Sequence, residues 1–83
     1  MQADCIFETI LFINHLPCYY KVLHLNGYYI YEPVPHHFYN SVVFPELVVN
    51  RSNGEWKVIG LHDKNIIGPL IHELESHLPS FQQ

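Results

Sequence analysis

The dipeptide Asn26-Gly27 lies between two runs rich in aliphatic and aromatic residues, and it constrains this chain more than any other feature. Asn and Gly supply the two positive-φ positions of a type I′ turn, whose twist matches that of the strands it joins. Taken as a two-residue loop, it sets Leu25 opposite Tyr28, His24 opposite Tyr29, Leu23 opposite Ile30, Val22 opposite Tyr31 and Lys21 opposite Glu32. Upstream, Asn14-His15 separates Ile6–Ile13 from Leu16–Leu25. Asn tolerates the left-handed region and His visits it occasionally. A two-residue loop there pairs Leu11 with Cys18, Ile10 with Tyr19, Glu8 with Lys21, Phe7 with Val22, Ile6 with Leu23 and Cys5 with His24. The two registers are independent, yet they meet in one cross-strand row, Glu8-Lys21-Glu32, with an acid on each side of the lysine. Slipping either strand by one residue would break the row and turn every side chain to the other face.

A third turn, Asn53-Gly54, extends the pattern. As a two-residue loop it pairs Val49 with Val58 and Arg51 with Trp56. A three-residue loop of Ser52, Asn53 and Gly54 would pair Arg51 with Glu55 instead, and we prefer the former. The tail reads as a helix, with Ile67, Leu70, Ile71, Leu74 and Leu78 on one stripe and His72, Glu73, Glu75 and Ser76 off it. Pro69 fits best near the first turn, where its missing N–H costs nothing. That starts the helix near Gly68, or one turn earlier if Asp63 opens it, and Pro79 ends it. Strands are expected near 5–13, 16–25, 28–33, 44–51 and 55–61, with a helix near 66–78 and a loop of about eleven residues from Pro33 to Val43.

A length of 83 residues suits one domain and is too short for two. Apolar residues make up 48% of the chain, enough for a core without disulfides or metal. The expected fold is a two-layer α+β single domain spanning residues 1–83: an antiparallel meander of about five strands with one C-terminal helix packed on one face.

Charge narrows the function. Four Lys and Arg stand against eight Asp and Glu, and Lys21, Arg51, Lys57 and Lys64 are scattered, which argues against nucleic acid as a partner. The apolar run from Ile6 to Ile13 is interrupted by Glu8 and Thr9 and has no basic leader, so it suits neither a signal peptide nor a membrane span. The expectation is a cytoplasmic protein with no membrane partner. Seven histidines are many for this length, and protonating all of them would move the formal charge from −4 to −4 + 7 = +3.

Parity along the strands assigns two faces. One carries Cys5, Phe7, Thr9, Leu11, Cys18, Tyr20, Val22, His24, Tyr29 and Tyr31, with no formal charge. The other carries Ile6, Ile10, Tyr19, Leu23, Leu25, Tyr28 and Ile30 around the charged row. Imperfectly paired buried charges are costly, so the helix is expected on the uncharged face. The other face is then left open with seven large apolar residues, more than a monomer usually exposes together. Those seven are the expected partner-binding residues, for a protein partner or a second copy in a homodimer.

Candidates for chemistry are weaker. Cys5 across from His24 is the minimum for a nucleophilic thiol, but no orienting residue or oxyanion donor accompanies it. His72 and His77 stand five apart, not the four of a helical zinc motif, and Glu73 with His77 is too few ligands even if His36-His37 folded back. The reading is therefore a non-catalytic protein-interaction module with no cofactor, metal or catalytic residue assigned. The alternative is a small-molecule or metal site between sheet and helix lined by His24, Tyr29, Tyr31 and His77.

Overall fold

The computed structural model describes residues 4–34 and 44–78. Five strands, β1 (Asp4–Ile13), β2 (Leu16–Leu25), β3 (Tyr28–Pro33), β4 (Leu47–Ser52) and β5 (Glu55–Ile59), precede one helix, α1 (Lys64–His77). All neighbouring strands are antiparallel and the sheet order is β1-β2-β3-β4-β5, a meander with the helix on one face: a two-layer α+β fold.

Three tight turns build it. Asn14 and His15, Asn26 and Gly27, and Asn53 and Gly54 all have positive φ, between 51° and 83°, as type I′ geometry demands. The β2–β3 register is Leu25↔Tyr28 through Lys21↔Glu32, and β4–β5 pairs Val49 with Val58 and Arg51 with Trp56, the two-residue alternative. Glu8↔Lys21↔Glu32 forms the expected row.

The β1–β2 register departs from expectation at its far end. From Ile13↔Leu16 to Phe7↔Val22 it runs as the turn dictates, but a bulge between Cys5 and Phe7 shifts it by one. Cys5 then faces Leu23, and Asp4 takes the position opposite His24. A bulge adds one residue to one strand only, so Ile6 drops out of register and every residue before it changes face. Cys5 therefore leaves the His24 side, and its thiol is exposed.

Other boundaries move for local reasons. β4 starts at Leu47 and not near residue 44, because Pro45 has no N–H for a ladder. Its carbonyl instead accepts the Tyr20 hydroxyl at 2.7 Å. β5 ends at Ile59 because Gly60 has φ 101°, and a Cβ there would sit 2.8 Å from the Glu46 carbonyl oxygen. That turn of the backbone sends Leu61 into the core. The helix takes the earlier of its two starts: Asp63 is the N-cap, its Oδ1 accepting the Asn65 N–H at 2.9 Å. Pro69 consequently lies inside the helix, past the turn where its missing N–H is free of cost. The Pro33–Val43 loop and the His36-His37 pair fall almost wholly outside the described residues.

The core forms between α1 and the inner sheet face. Tyr20, Val22, Tyr31, Leu47 and Val49 are fully buried, together with Leu70 and Leu74 from the helix stripe. Thr9 Oγ1 donates to Glu73 Oε1 at 2.6 Å and ties the helix to β1. No helix among the described residues is long and apolar enough to cross a membrane.

Candidate interaction face

The outer face is organised in rows that follow from the register. One apolar row crosses the whole sheet, from Cys5 through Leu23, Ile30 and Val48 to Ile59. Glu8-Lys21-Glu32 runs alongside it, and beyond that come Ile10↔Tyr19 and Phe12↔Pro17. On the other side, Leu25↔Tyr28↔Asn50↔Lys57 grades into polar residues. The face is thus an apolar band with a charged row let into it.

Of the seven residues expected here, Ile6, Ile10, Tyr19 and Tyr28 are 37%, 45%, 44% and 46% exposed. Leu23, Leu25 and Ile30 are half-buried among their neighbours. The two most exposed large apolar residues among those described, Phe12 and Ile59 at 62% each, are not among the seven. Parity was the signal for both: Phe12 is two residues beyond Ile10, and Ile59 follows Val58 in the β4–β5 register.

The inner-face residues of the alternative reading fall into two ring stacks. His24 stacks on Tyr29 at 4.8 Å, and Tyr29 adjoins Trp56 at 6.0 Å. Arg51 lies 5.6 Å over the Trp56 ring, and Trp56 Nε1 donates to Glu75 Oε2 at 3.1 Å. His77 stacks on Phe7 at 4.0 Å, while Phe7 meets Tyr31 edge-on at 6.4 Å. Each histidine is thus committed to its own aromatic partner, and Tyr31 is fully buried. Among the described residues, no three His, Cys, Asp or Glu side chains gather as a metal ion would require.

The titrating groups of the interior are held neutral. Burial, reinforced by the charge of Glu73, pushes the Tyr31 phenol far above its ordinary range. Burial and then the neighbouring Cys18 do the same for Tyr20. Burial also raises the Cys18 thiol, only partly offset by a hydrogen bond with Tyr20, so this cysteine is a packed apolar residue. The bulge puts Cys5 across from Leu23, out of register with His24, which dissolves the one thiol–imidazole pair the sequence suggested. No protein-family model, curated protein or solved structure matches this chain.

Proposed function

We propose that this protein is a non-catalytic protein-interaction module, working through the outer face of its sheet on a second copy or on another protein. The observation that carries the reading is the apolar row spanning all five strands, with Ile59 at one end 62% exposed. A stable interface takes about 800 Å² from each partner, and a body 39 Å by 31 Å across its longer axes has room for that. The charged row supplies register, since each charge on one side asks for its opposite on the other. Protein suits this face better than nucleic acid. Lys21 and Lys57 lie in different rows of the outer face, Arg51 covers Trp56 and Lys64 begins the helix, so no basic groove forms. Two free thiols fit the reducing cytoplasm, where we place it.

Leu23→Glu tests the reading, because Leu23 sits mid-row away from the helix. The variant is expected to lose self-association by light scattering, or capture of a partner in a pull-down, with its circular-dichroism spectrum and melting intact. A wild type that stays monomeric and captures nothing removes the reading, as does a variant that binds unchanged.

A further inference from the structure

The two edges of the sheet are built differently. β5 is five residues long and presents Glu55 and Lys57, both exposed. Short, charged strands are how proteins keep an edge from pairing with other chains. β1 is ten residues long, and between its bulge and its turn the only charge is Glu8. It contains no proline and no lysine, and Ile10 and Phe12 stand exposed on it.

The turn also determines which backbone groups of β1 face outward. With Asn14 and His15 both at positive φ, Ile13↔Leu16 closes the hairpin as a hydrogen-bonded pair. Bonded and non-bonded pairs alternate, so Leu11, Thr9 and Phe7 bond to β2. The N–H and C=O groups of Glu8, Ile10 and Phe12 point the other way, where no described strand pairs with β1.

We infer that this edge takes β1 of a second copy, antiparallel, with Ile10 facing Ile10 across a two-fold axis normal to the sheet. Three observations converge on that register. The uninterrupted stretch from bulge to turn is Phe7–Ile13, and Ile10 is its midpoint, so this alignment overlaps it completely. Ile10 is an outward-bonding position, so the pairs Glu8 with Phe12, Ile10 with Ile10 and Phe12 with Glu8 give about six N–H···O bonds. The two Glu8 carboxylates stay about 13 Å apart along the strands, four residues at roughly 3.3 Å each. Sliding a copy either way shortens the overlap, and sliding toward Asp4 brings the acids together. On the inner side, half-buried Phe7 meets half-buried Ile13 of the other copy, and both lose exposed apolar area. The product is one continuous ten-strand sheet with both helices on the same side. The inference stands independently of the outer-face reading, since it uses the strand's backbone and not the face.

Light scattering on the wild type is expected to give about twice the 9.8 kDa chain mass. Hydrogen exchange then reads the edge directly. The amides of Glu8, Ile10 and Phe12 are expected to slow by about tenfold or more as concentration drives association. Ile10→Lys, at an exposed position, sets two lysines opposite each other and is expected to return the protein to monomer with those amides fast. A monomer at every concentration overturns the inference, and so does a dimer in which the three amides exchange freely. In that second case a dimer broken by Leu23→Glu would still support the outer face, whereas protected amides unaffected by Leu23→Glu support the edge alone. The wild-type exchange experiment decides the matter even if Ile10→Lys fails to fold.

Discussion

Removing one oxygen atom from the core is expected to stabilise this protein. The Tyr31 hydroxyl is buried and makes no hydrogen bond among the described residues. Glu73, whose charge reaches it, has turned Oε1 to Thr9. A buried hydroxyl without a partner costs about 1–3 kcal/mol. Tyr31→Phe removes that cost and leaves a void of roughly 20 Å³, worth about 0.5 kcal/mol at about 24 cal/mol per Å³. The net expectation is a gain of about 0.5–2.5 kcal/mol, read as a higher urea midpoint at unchanged m-value. In a thermal melt each kcal/mol appears as about 4–8 °C in a domain of this size. Tyr20→Phe is the built-in control. Its ring is equally buried and meets Tyr31 at 6.2 Å, but its hydroxyl donates to the Pro45 carbonyl, so losing it is expected to cost about 1 kcal/mol. Opposite signs from the same chemical change are the signature. If Tyr31→Phe loses 1 kcal/mol or more, the hydroxyl is satisfied in solution and the reasoning fails.

Two further outcomes can be checked on the same unfolding apparatus. Tyr20 and Tyr31 hold their protons far more tightly folded than unfolded, so their contribution is complete below pH 10 and falls above it, by about 1.4 kcal/mol per pH unit for each tyrosine; a stability profile flat from pH 9 to 11 would contradict it. Gly60→Ala meets both a positive φ and the Glu46 carbonyl and is expected to destabilise by about 1–3 kcal/mol, whereas Gly68→Ala enters open space but sets its Cβ against the ring of Pro69 that follows it in the helix, which offsets most of the roughly 0.8–1.0 kcal/mol alanine gains over glycine and leaves stability nearly unchanged; equal midpoints for the two variants would refute the assignment.

What could be read from residue order was whatever a tight turn controls. Three dipeptides set three hairpin registers, and from them came the charged row, the parity of the faces and the side on which α1 lies. The influence of a turn extends only as far as the ladder stays regular. The bulge at Ile6 has no glycine to announce it, and one inserted residue was enough to move Cys5 away from His24. The β4 start was equally hidden: Phe44 and Pro45 read as part of a hydrophobic strand, but the carbonyl of Pro45 is held by Tyr20 from a distant strand. Pro69 was visible and its place was not, because Asp63 competes with it for the helix start, and the stripe of Ile66, Ile67 and Leu70 packing on the core favours the longer helix. The exposure of Phe12 and Ile59 followed from parity carried one pair further at each margin of the sheet.

Chain order and sheet order are the same here, and that bears on how the protein comes off the ribosome. Each strand, as it emerges, finds its neighbour already in place, so the sheet can assemble from its N-terminal hairpin through three two-residue turns, with the longer β3–β4 connection as the one costlier closure. The helix breaks this economy. Its anchor to the sheet, Thr9 to Glu73, joins residues 64 positions apart, so until the last turn of α1 has been made, Tyr20, Tyr31 and Val49 lie bare on a finished meander. A chain truncated after β5 lacks Leu70 and Leu74 to cover those side chains, and uncovered apolar surface of that kind is what chaperones bind.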